Sequence, residues 1–121
     1  MKKNTQKYGM EIIVDIHDCD ISNFKRKRLD QFFSELVALS HMQAVGKPKY
    51  WKESSYIPHL RGYSGIQFIK TSSILIHTLD ILKSAYINFF SCKDFVPEEV
   101  ILFIEDFFDA KKISYKVINR I

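Results

Sequence analysis

Hydroxyl side chains are concentrated in one apolar stretch of the sequence, residues 62–78, which reads GYSGIQFIKTSSILIHT. Three serines, Ser64, Ser72 and Ser73, and one histidine, His77, interrupt residues that otherwise suit buried strands. Hydroxyl and imidazole groups are side-chain types that supply nucleophiles and bases. The stretch is therefore either an ordinary strand, turn and strand, or a piece of chemistry built into the backbone.

A fourth residue of a chemically reactive type, Cys92, follows this stretch in the sequence. Relative to Ser72, Ser64 lies eight residues before, His77 five after and Cys92 twenty after. Taken singly, each residue has an ordinary explanation: a hydrogen-bonded core histidine, a small buried cysteine and a serine at a strand-entry turn. These ordinary explanations are the default for each residue taken alone.

A continuous strand would keep Ser72 and His77 apart. Side chains five residues apart point to opposite faces, and their Cα atoms lie ~16 Å apart at ~3.3 Å per residue. Ser72 and His77 can meet only if the chain turns near residues 71–73, and the KTSS run is compatible with a turn.

The segments GYSG, TSSILIHT and FFSC resemble motifs of the bacterial S-adenosylmethionine decarboxylase proenzymes. That family pattern reads G-x-S-G … E-S-H-[IL]-x-I-H-T-W-P-E … F-T-C-G, and all three intervals from Ser72 match it. The segment DIHDCD resembles the family's strand ending in Gly-Cys-Asp. The resemblance therefore runs nearly from end to end.

The resemblance implies autocatalytic cleavage between Thr71 and Ser72. The Ser72 hydroxyl attacks the preceding carbonyl, and adjacency of the two groups gives the step a large effective molarity. β-Elimination leaves a dehydroalanine, which hydrolyses to a pyruvoyl group, the implied cofactor. His77 would remove the α-proton of Ser72, and Ser64 would hydrogen-bond the oxyanion.

The same resemblance implies a decarboxylase. The pyruvoyl ketone is an electron sink: a substrate amine forms a Schiff base, carbon dioxide leaves and a proton returns to carbon. Cys92 is the implied acid, because an unperturbed thiol has a pKa of ~8.5 and is mostly protonated at neutral pH. The implied substrate is S-adenosylmethionine, and the implied role is spermidine and polyamine biosynthesis.

The sequence departs from the family pattern mainly where substrate binds. Leu79-Asp80-Ile81 replaces Trp-Pro-Glu, whose Glu is associated with the ribose; Asp80 lies one position away. Thr71 replaces Glu, and Ser73 replaces His and so competes as the cleavage residue, although the intervals favour Ser72. The substrate-binding residues stay unassigned. Ornithine or arginine remain alternative substrates, and a non-processing homologue that acts by binding remains an alternative function.

Length and composition predict a single domain over residues 1–121. Hydrophobic residues make up 46% of the chain, with ten Phe and six Tyr, so disorder is excluded. No stretch approaches the ~20 apolar residues that cross a bilayer. Acidic residues interrupt the first apolar run, which excludes a secretory signal. Two cysteines in such a chain predict reduced thiols in the cytoplasm.

The net charge of +4 raises the question of nucleic-acid binding. Much of the excess is the run KRKR at residues 25–28, whose side chains would point in four directions on a helix rather than along a phosphate backbone. A small RNA-binding module is therefore the weaker alternative. The HDCD run at residues 17–20 has no second ligand cluster and predicts no metal site.

Hydrophobic periodicity predicts the elements that carry these residues. Strands are expected at residues 10–16, 63–70, 73–79, 85–92 and 113–121, with a short strand possible in the loop 46–62. Helices are expected at 21–42, with Ser22 as its N-cap, and at 96–112. Trp51, in the loop, is assigned to the core.

The order of these elements predicts an α+β fold, a two-layer sandwich of a mainly antiparallel sheet with two helices on one face. The many aromatic residues suggest that a second copy covers the other face, giving a homodimer.

Overall fold

The computed structural model describes residues 6–121, which form one six-stranded antiparallel sheet and two α-helices. The strands are β1 (Gly9–His17), β2 (Lys49–Glu53), β3 (Gly62–Ile69), β4 (Ser72–Leu79), β5 (Ser84–Ser91) and β6 (Lys112–Arg120); the helices are α1 (Arg26–Leu39) and α2 (Pro97–Phe108). The strands lie in the order β2-β3-β4-β5-β1-β6, and every neighbouring pair is antiparallel. The predicted α+β fold is confirmed.

One face of the sheet is buried by both helices. Along β1, Ile12, Val14 and Ile16 are fully buried, and the residues between them are partly exposed, as the two-residue period of a strand requires. The two helices contribute to the same core as these isoleucines and valine, so both lie on that face. The other face, called the open face below, carries His77 with the apolar residues Ile13, Ile66, Phe68, Leu75 and Phe90.

Phe32 of α1 lies at the centre of the core. Its ring contacts Phe108 at 5.0 Å, Phe107 at 5.6 Å and Phe103 at 5.8 Å between centroids, all three from α2. The apolar stripe of α1 is buried as predicted. Aromatic packing therefore joins the two helices to each other as well as to the sheet.

The start of α1 differs from the prediction. Ser22 is part of a short 3₁₀ turn, Ile21–Phe24, and it donates its backbone N–H to the Asp20 carboxylate at 3.0 Å. The α-helix begins only at Arg26, and Lys25 at its N-cap position makes no side-chain cap. Ser22 as the N-cap was wrong, because the chain completes this additional turn before the helix starts.

The assignment of Trp51 to the core was also wrong. Trp51 lies on β2, the edge strand, and its side chain is 69% exposed. Its neighbour Tyr50 points the other way and contacts Phe33 at 6.1 Å between ring centroids.

Within residues 6–121, neither helix is long and apolar enough to cross a membrane.

A matched pair of leucines tests where the core lies. Leu36 is fully buried and Leu102, on α2, is 64% exposed. We expect Leu36→Ala to lower the free energy of unfolding by about 2–5 kcal/mol, because it leaves a cavity. Leu102→Ala should change it by less than about 0.5 kcal/mol. Urea unfolding followed by circular dichroism, at one protein concentration, measures both; equal losses would contradict the packing described here.

Candidate active site

The turn between β3 and β4 holds Thr71 in a strained conformation. Ile69 pairs with Ser72, so the connecting loop consists of Lys70 and Thr71 alone. Thr71 has φ +58°, in the left-handed region that a β-branched residue rarely occupies. Two-residue hairpins favour turns with positive φ at the first loop residue, and here only the second has it. Such strain costs about 1–3 kcal/mol and persists only where the surrounding structure enforces it.

Pairing of β4 with β5 brings Cys92 to this turn. Ser73 pairs with Phe90, and the same register places Thr71 opposite Cys92. The Ser72 hydroxyl oxygen accepts the Cys92 backbone N–H at 3.1 Å. The Thr71 hydroxyl lies 2.8 Å from Cys92 Sγ and 2.6 Å from the Lys70 carbonyl oxygen, so its proton is shared between them. Thr71, Ser72 and Cys92 are called the turn site below.

The two cysteines differ in acidity. The hydrogen bond from the Thr71 hydroxyl, and then that from Ser72, hold the pKa of Cys92 below its ordinary value. Burial, followed by the charges of Asp18 and Asp109, raises the pKa of Cys19 to about 11. Cys92 is partly exposed, whereas Cys19 is buried. Cys92 is therefore the thiol that ionises first.

The turn site borders a cavity of about 370 Å³. Its wall includes Ser72 and Cys92 together with three basic residues, His41, Lys70 and Lys93. The Lys93 ammonium donates to the His41 carbonyl oxygen at 3.2 Å. The cavity is large enough for a small substrate next to the Ser72 side chain.

Ser64 and His77 form a second group on the open face, called the imidazole site below. They occupy directly opposed positions of β3 and β4, and Ser64 Oγ lies 2.7 Å from His77 Nδ1. Tyr86 lies opposite His77 on β5. A cavity of about 410 Å³ is lined by all three side chains. Sequence reasoning missed Tyr86, since only the register of β5 places it there.

One chain does not bring the two sites together. Contact between Ser72 and His77 required a turn near residues 71–73, but β4 runs without interruption from Ser72 to Leu79. Ser72 is buried on the helix side, and His77 is exposed on the open face. The turn lies at Lys70 and Thr71, before Ser72, so it does not change the direction of the chain between Ser72 and His77. The hydroxyl and the imidazole therefore remain ~16 Å apart along β4.

The residues that replace the family's substrate-binding motif are also separated. Leu79 lines the cavity of the imidazole site, but Asp80 lines a different cavity on the helix side of the sheet. Burial raises the pKa of Asp80, and its Oδ1 is buried without a hydrogen-bond partner. Asp80 therefore does not take the place of the missing Glu. Among residues 6–121, no group of three or more His, Cys, Asp or Glu side chains could hold a metal ion.

The fold is shared with a solved decarboxylase. The crystal structure of the adenosylmethionine decarboxylase from Aquifex aeolicus VF5 matches with a TM-score of 0.79 and 18% sequence identity, over 96% of this chain and 92% of that chain. The sequence model of the S-adenosylmethionine decarboxylase family matches residues 10–121. The chain belongs to this family of decarboxylases, as its motifs predicted. No curated protein matches the sequence significantly.

The hydrogen bond from Thr71 predicts the acidity of Cys92. In a Ser72→Ala background, which cannot undergo the implied cleavage, Thr71→Val removes the largest cause of the lowered pKa and keeps the side-chain shape. We expect the pH midpoint for iodoacetamide alkylation of Cys92 to rise, since the thiolate is the reactive form. Peptide mass analysis separates Cys92 from Cys19, which should react only at higher pH. An unchanged midpoint would show that Thr71 does not control this thiol.

Proposed function

We propose that the chain is the proenzyme of a pyruvoyl-dependent S-adenosylmethionine decarboxylase, processed between Thr71 and Ser72 within its single domain. The strained turn carries this proposal. Thr71, whose carbonyl would be attacked, is held in the left-handed region, and the Ser72 hydroxyl follows it directly. Breaking this peptide bond would release the strain, which favours the reaction.

The processing reaction balances without an external oxidant or reductant. Ser72 Oγ bonds to the Thr71 carbonyl carbon, the C–N bond breaks, and the hydroxyl proton ends on the freed amine. Removal of the Ser72 α-proton then breaks its Cβ–O bond, leaving a Thr71 carboxylate and a dehydroalanine. Water hydrolyses the dehydroalanine, releasing ammonia and forming the pyruvoyl group.

The residues at the turn site suit that group. Ser72 supplies its atoms, and the adjacent cavity has room for a substrate. The pyruvoyl group supplies an electron sink for decarboxylation. In this proposal Cys92, whose backbone N–H contacts the Ser72 side chain, returns a proton to the product. The decarboxylated product would feed spermidine and polyamine synthesis in the cytoplasm.

We infer that a second copy completes the site. The proposed base, His77, lies on the opposite face from Ser72, and β4 cannot bend to join them. The open face is apolar and partly exposed, with Phe68 45% exposed, which suits a covering copy. Cys92 follows the buried Ser91, so strand alternation directs it toward that face. A two-fold dimer through the open faces would pair the turn site of each copy with the imidazole site of the other.

The substrate has a second candidate class. The cavity that contains Ser64 and His77 is lined by no carboxylate among the described residues, so nothing there replaces the Glu associated with the ribose. An amino acid without a ribose, such as ornithine or arginine, is therefore kept as the alternative substrate. A homologue that binds ligand without processing is the alternative if the peptide bond stays intact.

Intact mass spectrometry tests the processing. We expect freshly purified protein to yield two fragments, residues 1–71 and residues 72–121 with a pyruvoyl-blocked start, and to release carbon dioxide from carboxyl-labelled S-adenosylmethionine. Ser72→Ala should stay as one inactive chain, and Ser73→Ala should still cleave. Cleavage before Ser73 would move the site. One stable chain, identical to the Ser72→Ala control, would contradict the enzymatic proposal.

Mixed dimers test the shared site. Ser72→Ala and His77→Ala chains should each remain largely uncleaved when expressed alone, because each lacks one required group. Coexpressed, the His77→Ala chain should be cleaved, because its Ser72 meets His77 of the other chain, while the Ser72→Ala chain stays intact. Different affinity tags on the two chains, used one after the other in purification, establish that mixed dimers have formed. If they form and the His77→Ala chain still stays intact, Ser72 and His77 do not act across copies.

A further inference from the structure

A third cavity, of about 510 Å³, lies on the helix side of the sheet and shares only Tyr63 with the cavity of the imidazole site. Four cationic side chains line it: Lys25 and Arg26 at the start of α1, Lys52 on β2 and Arg61 just before β3. Among the described residues, two carboxylates line its wall, those of Asp20 and Asp80, so cations outnumber acids by two. Its volume is typical of pockets that hold small molecules.

The cations of this cavity form no salt bridges with the described residues, although Arg61 and Lys52 act on the Asp80 carboxylate at longer range. Arg26 and Lys52 instead contact aromatic rings, at 4.7 Å from the Tyr50 centroid and 5.5 Å from the Tyr63 centroid. Arg61 donates to the Ser54 carbonyl oxygen at 2.5 Å. These contacts orient the positive charges without neutralising them.

The start of α1 adds to the positive potential. The first turn of a helix carries unpaired N–H groups and a partial positive charge, which acidic side chains normally offset. Here no side chain caps the turn, no acidic residue lies in it, and the residues that begin it are basic. This arrangement opposes the stability of α1, and an anion bound in the cavity would offset it.

Asp80 indicates which chemical group the rest of the ligand carries. Asp80 lines the cavity, and its Oδ1 atom has no hydrogen-bond partner among the described residues, which is costly for a buried polar atom. A hydroxyl or amino group would satisfy it. We propose that this cavity binds a phosphate-bearing small molecule, with the phosphate among Lys25, Arg26, Lys52 and Arg61 and a donor group directed to Asp80.

Sodium pyrophosphate is the probe for this site, titrated by isothermal calorimetry at constant ionic strength into the full chain carrying Ser72→Ala. Calorimetry reads binding directly, so the result does not depend on processing or decarboxylation. We expect one pyrophosphate per chain. Lys52→Gln and Arg26→Gln should each weaken binding by about tenfold or more, since each removes a charge-assisted hydrogen bond. Lys27→Gln, the next residue on α1 and outside the cavity, should leave the affinity unchanged.

Asp80→Asn should change the affinity for pyrophosphate in the direction opposite to that of Lys52→Gln and Arg26→Gln. Pyrophosphate lacks the donor group that Asp80 would bind, so removing the negative charge should tighten pyrophosphate binding. The proposal is overturned if pyrophosphate does not saturate, or if Lys27→Gln weakens binding as much as Lys52→Gln does. It is likewise overturned if Asp80→Asn weakens binding. Citrate binding as tightly as pyrophosphate would replace the phosphate class with carboxylates.

Discussion

The pairing of β4 with both β3 and β5 determines where every proposed reactive side chain lies. One register places His77 against Ser64, and the other places Thr71 opposite Cys92. Residues separated by thirteen and twenty-one positions in sequence thus become neighbours through backbone hydrogen bonds alone. Slipping β4 by one residue would exchange its two faces and dismantle both groups. The buried Ile74 and Ile76 oppose such a slip, because it would move them to the open face.

The pleat of β4 also places two of the proposed reactive residues, Ser72 and His77, on opposite faces of the sheet. An odd interval along a strand always places two side chains on opposite faces, and the interval from Ser72 to His77 is five. Conformational freedom at the turn cannot change this, since the turn precedes Ser72 and the strand continues beyond it. A site that uses both residues needs a second imidazole from elsewhere. The proposed two-fold dimer through the open faces would supply one for each copy.

Sequence patterns predicted the strands and helices well, because burial on one face imposes a period of two or 3.6 residues that can be read directly. The stripe from Leu29 to Val37 is an example. Features that produce no repeating hydrophobic pattern in the sequence were not predicted. The left-handed turn residue is Thr71 rather than Gly or Asn, so the KTSS run was compatible with a turn but did not mark which residue adopts the left-handed conformation. The exposure of Trp51 follows from β2 being an edge strand, and the location of Asp80 follows from the end of β4; neither property is local in sequence.

The hydrogen bonds around Cys92 have a consequence for the order of events in the proposed reaction. Before cleavage, the Thr71 hydroxyl and then the Ser72 hydroxyl lower the pKa of the thiol, which favours the thiolate. A thiolate cannot return a proton to a product. In the proposed reaction, cleavage between these two residues would free Thr71 from the hairpin and convert Ser72 into a group without a hydroxyl, so both of the main causes would disappear. The pKa of the Cys92 thiol would then rise toward its ordinary value, which favours the protonated form. The cleavage that creates the pyruvoyl group would therefore also return Cys92 to the protonated form that can act as an acid.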